Sequence, residues 1–224
     1  MIIRGGCNSD FDGTLYQGNS FKVMFQVAKK EFGLKEWSVV FIGMVKAGIK
    51  GLTGGKQAFR HQFFKAFAKS FKGQSKQELE KFFHELVTIG KEEVHKELVT
   101  RIREHLNRGD AVIVLSGALL PFLHSFIEAV DLDVHVIGTE LLYDENGICT
   151  GKINTIVNGD EKVRKVEDWL RNAGAPTENT VEIWAYADSE SDIPLFQFAD
   201  RPIVVNPKED MVKIAENNKW PIFA

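Results

Sequence analysis

The chain has 224 residues, 44% of them hydrophobic and 26% charged, with a formal net charge of −3, which excludes a disordered or collagen-like chain and allows one full domain with a smaller one inserted. Cys7 and Cys149 are too few for a disulfide framework, and the longest apolar stretch, Trp37 to Val45, is too short to cross a bilayer. No apolar leader follows the N-terminus, so a reducing cytoplasm is the expected setting, and nothing asks for nucleic acid or an obligate protein partner.

Taken in order, residues 2–9 are expected to form a strand, although Arg4-Gly5-Gly6-Cys7-Asn8-Ser9 is poor strand composition. From about Ser20 to Leu106 apolar residues recur at helical spacing. From Ala111 onward short apolar runs alternate with helical segments, the sign of a parallel α/β sheet. The strand candidates are Ala111–Leu115, Val134–Ile137, Val181–Ala187 and Ile203–Val205; Leu141–Tyr143 and Ile148–Thr150 flank Asp144-Glu145-Asn146-Gly147, a hairpin signal. The expected fold is a three-layer, Rossmann-like α/β parallel sheet core made from residues 1–18 and 107–224. An all-helical cap, residues 19–106, is inserted where it can close over the first loop.

That loop, Ser9-Asp10-Phe11-Asp12-Gly13-Thr14-Leu15, carries what phosphoryl transfer through an aspartyl-phosphate needs. Asp10 is placed to attack, Asp12 to protonate the leaving oxygen and then activate water, and Gly13 and Thr14 to wrap the backbone around a tetrahedral anion. The same residues match the first half of a calcium-binding EF-hand loop from Asn8, but the closing glutamate of that loop would fall at Asn19. A solvated acidic turn is the plain alternative.

Within the insertion Phe59, Phe63, Phe67 and Phe71 recur every four residues, with His61, Lys65 and Lys69 opposite, and core packing by itself accounts for such a stripe. No Asp or Glu occurs from Trp37 through Gln77, whereas Lys46, Lys50, Lys56, Arg60, Lys65, Lys69, Lys72 and Lys76 do. A cationic lid would draw an anionic substrate or touch an anionic membrane surface; a merely solvated lysine face is the simpler reading. Gly54-Gly55-Lys56 fails as a phosphate-binding P-loop because position 50 is Lys50 and Gln57 follows the lysine, so Gly48, Gly51, Gly54 and Gly55 read as a loop or hinge.

Three later pieces complete a site. Ser116-Gly117 follows the strand Ala111–Leu115, before a helix expected to open near Ala118, and offers a hydroxyl and backbone N–H groups to a phosphate. Lys162 stands in the first turn of a helix opening at Asn158-Gly159-Asp160, where the dipole disfavours a cation, as if to neutralise a phosphate from an exposed helix end. Asp188 and Asp192, one helical turn apart after the strand Val181–Ala187, are set to hold magnesium, one directly and one behind it.

Asp10-x-Asp12-Gly13-Thr14, Ser116 after a strand, Lys162, and Asp188 with Asp192 arrive in the order of the haloacid dehalogenase-like superfamily, which this chain resembles over nearly its full length. The resemblance is nearest to the phosphoserine phosphatase-like subgroup with a helical cap, through Ile137-Gly138-Thr139-Glu140, Thr150-Gly151-Lys152 and Val205-Asn206-Pro207 as well. It implies a magnesium-dependent phosphatase acting on a small phosphorylated metabolite or lipid headgroup. Asp10 would be the nucleophile, Asp12 the acid and base, and Ser116 and Lys162 the phosphate contacts; Asp10, the Asp12 carbonyl and Asp188 would ligate the metal. Asn19 stands where phosphoserine phosphatases carry a glutamate for the substrate amine, which argues against phosphoserine itself and leaves Asn19, Arg60, Lys65 and Lys69 as specificity candidates. The competing functions are phosphotransfer or mutase chemistry on the same scaffold, and a receiver phosphorylated on Asp.

Overall fold

A computed structural model describes residues 5–173 and 181–223, with the backbone alone for residues 50, 51, 53, 54, 56, 57 and 60. The strands are β1 (Gly5–Ser9), β2 (Ala111–Leu119), β3 (His135–Thr139), β4 (Leu141–Tyr143), β5 (Cys149–Ile153), β6 (Glu182–Ala187), β7 (Arg201–Val205) and β8 (Ile222–Phe223). Six of them form one parallel sheet in the order β3-β2-β1-β6-β7-β8, and β4 pairs with β5 as an antiparallel hairpin. The helices are α1 (Ser20–Glu31), α2 (Leu34–Ser70), α3 (Lys76–Gly90), α4 (Lys96–Arg108), α5 (Leu120–Ala129), α6 (Asp160–Asn172), α7 (Ile193–Phe198) and α8 (Glu209–Asn218). The fold is thus α/β, with α1–α4 inserted between the first two strands as a helical cap.

The poor strand composition of β1 has a physical cause. It lies at the centre of the sheet between β2 and β6, with every residue buried. A β-carbon on Gly5 would fall 2.6 Å from Asp110 Oδ1, so only glycine lets that carboxylate approach. Asn8 Nδ2 donates to the Trp184 carbonyl at 3.3 Å, and Ser9 Oγ donates to the Asp10 carbonyl at 2.9 Å. Small polar residues here serve close packing and hydrogen bonding, which override strand propensity. Expected residues 2–4 of this strand lie outside the described residues.

Other bounds shift. β2 runs on through Ser116 and Gly117 to Leu119, with its pairing to β3 irregular between Leu115 and Leu119, and α5 opens at Leu120 with Pro121 in its first turn. Ser116-Gly117 is therefore an irregular stretch of strand and not the mouth of a helix. β5 extends to Ile153, β3 covers 135–139, and β8 is an edge strand too short for periodicity to reveal.

In the cap, Asn19 Oδ1 accepts from the Phe21 N–H at 2.9 Å and caps α1, and Ser75 with Glu78 forms a capping box on α3. α2 contains Gly55 at φ 70°, ψ −167°, where helical geometry breaks. A β-carbon on Gly43 would lie 2.1 Å from Ala66 Cβ, so the two arms fold back on one another about Gly55. Of the four glycines expected to form a loop or hinge, Gly55 alone breaks the helix, while Gly48, Gly51 and Gly54 stay helical. Phe63, Phe67 and Phe71 of the phenylalanine stripe are buried, while Phe59 is 39% exposed. Phe21 and Phe25 of α1 meet Phe63 with ring centroids 4.4 and 5.4 Å apart, and Phe71 meets Phe82 of α3 at 5.2 Å, so the stripe binds α1, α2 and α3 together.

Cap and core are joined in three places. The outgoing and returning segments pair, with the Gln17 N–H donating to Glu93 O at 2.8 Å and the His95 N–H to Leu15 O at 3.0 Å. The β4–β5 hairpin bonds the α2–α3 turn, through Gly73 N–H to Cys149 O at 2.9 Å and Cys149 N–H to Gln74 O at 2.8 Å. At the end of α4, buried His105 lies 2.8 Å from Asp110 Oδ2 through Nδ1 and 2.9 Å from Tyr186 Oη through Nε2. Burial lowers the pKa of His105, so the ring is neutral at pH 7.

Candidate active site

Parallel register decides what meets at the carboxyl edge of the sheet. Ser9 is level with Val114 of β2 and with Tyr186 of β6, so Asp10 leaves β1 beside the ends of both neighbours. The Asp10 N–H donates to the Tyr186 carbonyl at 2.8 Å. Two residues beyond Tyr186 comes Asp188, and the turn after it carries Asp192 into the interior. Gly13, at φ 81°, passes so close to Asp188 that a β-carbon would sit 2.4 Å from its Oδ2. That contact and the positive φ both require glycine.

Lys162 lies in the first turn of α6, 2% exposed, with Nζ 2.7 Å from Asp10 Oδ1 and 2.5 Å from Asp192 Oδ1. The expectation of an exposed helix end is wrong here, because the side chain runs inward to a pair of buried carboxylates. Asp192 is fully buried, and its other oxygen accepts from Ser189 Oγ at 2.6 Å. Both of its oxygens are thus engaged. Asp12 points elsewhere: its oxygens accept from the Ser20 N–H at 2.8 Å and the Ser20 Oγ–H at 2.7 Å, at the N-terminus of α1. That helix end favours a carboxylate.

Ser116 is buried, and its Oγ accepts from the Ala118 N–H at 3.1 Å. The Gly117 carbonyl accepts from Thr139 Oγ1 at 2.9 Å. Thr14 is buried, its hydroxyl without a hydrogen-bond partner among the described residues. The specificity candidates are not gathered with these groups. Asn19 Oδ1 is engaged in capping, Lys65 and Lys69 are exposed on α2, and the Arg60 side chain lies outside the described residues. Ser20 and Ser189 were not anticipated; the only signal for either was a hydroxyl near the acidic motifs.

Asp10, Asp188 and Asp192 each present an oxygen within 4.8 Å of the others. Lys162 is bonded to Asp10 and Asp192, and Lys208 also pulls on Asp188. Burial raises the Asp10 pKa, and Asp192 and Asp188 add to the rise against the pull of Lys162. Asp188 is pushed up to about 6, by burial and then by Asp192. Burial works against the Lys162 charge, but Asp10 and Asp192 outweigh it and raise its pKa. An all-oxygen donor set with surplus negative charge fits a hard divalent cation.

A pH dependence follows for the metal-free protein. Asp10 and Asp188 keep protons in the folded state that the unfolded chain has released near pH 3.8, so their contribution is fully present below that value. It is lost as pH rises through their folded values, about 7 for Asp10 and about 6 for Asp188. Thermal melts in chelator should fall across this window, and magnesium should restore the melting temperature at its upper end. A melting temperature that rises across it would contradict the raised pKa values.

A parallel sheet whose carboxyl edge gathers buried acids and a lysine, with a helical cap inserted after its first strand, is the architecture of an α/β hydrolase with an acidic cluster that could hold a metal ion. The chain belongs to the haloacid dehalogenase-like hydrolase family, whose model matches residues 8–197. It is 28% identical over 127 residues to a histidinol-phosphatase of Neisseria meningitidis, covering 54% of this chain and 55% of that protein. It is 30% identical over 176 residues to a phosphoserine phosphatase of Archaeoglobus fulgidus, covering 78% of this chain and 46% of that one. The chain thus spans about half the length of these curated relatives. A crystal structure of a Bordetella pertussis protein of unknown function shares the fold with a TM-score of 0.81 and 23% identity, covering 99% of both chains.

Proposed function

We propose that this protein is a magnesium-dependent phosphomonoesterase that works through an aspartyl-phosphate on Asp10, acting on a small phosphorylated metabolite or lipid headgroup. The observation that carries this reading is Lys162, held between Asp10 and Asp192 with Asp188 beside them. Lys162 opposes the burial and the neighbouring carboxylates that press Asp10 towards its neutral form, and it puts a cation where a phosphoryl group would arrive. The reading goes with a core of residues 1–18 and 107–224 and a cap of residues 19–106. That the curated relatives include phosphatases supports it.

Asp10 attacks phosphorus, the P–O bond to the alcohol breaks, and Asp12 gives its proton to the departing oxygen. Asp12 then takes a proton from water, which attacks the same phosphorus and returns Asp10 with inorganic phosphate. The Ser116 hydroxyl, the Gly117 and Thr14 groups and Lys162 bind the transferred oxygens, and Gly13 lets the loop bend around them. Asp10, Asp188 and the main-chain carbonyl of Asp12 would hold magnesium, which supplies positive charge to the phosphoryl oxygens. Asp192 stands behind them, its oxygens engaged by Lys162 and Ser189.

A panel of phosphomonoesters, assayed with magnesium and with chelator, tests the reading, which metal-independent turnover would overturn. In that assay Asp188→Asn should raise the magnesium requirement more than Asp192→Asn, since an already bonded carboxylate is not free to be a direct ligand. Phosphoserine should be a poor substrate, because Asn19 has no charge for an ammonium group and its oxygen is engaged in capping α1.

Ser20 emerges as a positioning residue. Ser20→Ala removes the hydroxyl that donates to Asp12 and should cost about tenfold in kcat, the scale of a modest hydrogen bond to a charged group. The same change should move the limb of the pH–rate profile that reports Asp12. Loss of rate with an unmoved profile would make Ser20 merely a helix residue.

A further inference from the structure

The first arm of α2 has a face that the cap does not use. Val40 and Ala47 are buried against the second arm, and Gly43 touches Ala66 there. On the other side Leu34, Phe41, Ile42, Val45, Ile49 and Leu52 are exposed by 94, 62, 55, 50, 61 and 90%. At helical spacing these six share one arc of about 100°, with exposed Lys46 next to it. Single exposed apolar residues need no explanation, but six on one arc do.

The charge around this face narrows the occupant. Both arms of α2 beyond Glu36 are free of Asp and Glu, as is the chain up to Glu78. Lys46, Lys65, Lys69, Lys72 and Lys76 are exposed, and among the described residues none of them forms an ion pair. A second copy docked through the same arms would bring more lysines and no acid to meet them. An apolar arc beside uncompensated lysines on a helix that cannot span is instead the pattern of binding in the plane of an anionic lipid surface.

We propose that the exposed face of α2 docks this protein on an anionic phospholipid surface, with Phe41, Ile49 and Leu52 entering the interface and Lys46, at the edge of the arc, facing the headgroups. This does not depend on the chemistry at Asp10, and its test reads no activity. The full chain is sedimented with vesicles of phosphatidylcholine alone and of phosphatidylcholine with phosphatidylglycerol. It should pellet with the anionic vesicles only, and less so as salt rises. The double variant Phe41→Ser, Ile49→Ser and the single variant Lys46→Glu should each lower the bound fraction severalfold. These side chains are exposed, so circular dichroism should be unchanged. No pelleting with anionic vesicles overturns the proposal, as does equal pelleting with neutral ones. A wild-type dimer by light scattering that the double variant turns into a monomer, without vesicle binding, would show that a second copy covers the face.

Discussion

Asp10→Asn should abolish phosphate-ester turnover while leaving the fold intact. An amide is neither a nucleophile towards phosphorus nor an anionic metal ligand, so the loss should be about six orders of magnitude, the scale seen when a nucleophile is removed. Stability should move the other way. Asp10 is the acid that burial and two neighbouring carboxylates press hardest towards its neutral form, so deleting its charge relieves repulsion and leaves Lys162 with Asp192. In chelator the variant should melt at or above the wild-type temperature. Label from a phosphate ester should attach covalently to the wild type and not to the variant. Turnover within tenfold of wild type would remove Asp10 from the mechanism, whatever the family.

Lys162→Met should do what Asp10→Asn does not, and unfold the protein or nearly so without metal at neutral pH. The ammonium is 2% exposed and is the cation bonded to both Asp10 and Asp192. Removing one partner of a buried ion pair costs about 3–5 kcal/mol because the other charge is left behind, a large part of a typical stability of roughly 5–15 kcal/mol. Acid and magnesium should each restore much of the loss, the first by protonating the carboxylates and the second by compensating them. Denaturant titrations at pH 5 and pH 8, with and without magnesium, measure this directly. A variant as stable as wild type at pH 8 in chelator would mean that the lysine is not needed to hold the acids together.

Much of this protein was legible in its sequence, for reasons that are local. Alternation of short β-branched runs with helical segments after Ala111 announces a parallel sheet because period and propensity act over a few residues. Asp10-x-Asp12-Gly13-Thr14 and Asp188 with Asp192 are legible because the spacing of acids sets which can share a ligand, and Gly55 because a break in a helix needs a residue tolerant of positive φ. What depends on distant contacts was not. Small polar residues make β1 look unlike a strand, and contacts from far along the chain explain them, Asp110 against Gly5 and the Trp184 carbonyl on Asn8. Lys162 is legible as a cation misplaced in a first turn, but its burial between Asp10 and Asp192 is set only when the sheet brings those acids around its ammonium. Ser20 has no signature, since its value lies in meeting Asp12 across the loop that turns into α1. The phenylalanine stripe of α2 is legible as a buried face, but its exposed apolar face is visible only once the second arm has folded onto the opposite side. Propensity and spacing act along the chain, whereas burial and charge compensation are set by which segments the fold brings together, and the tertiary structure alone decides that.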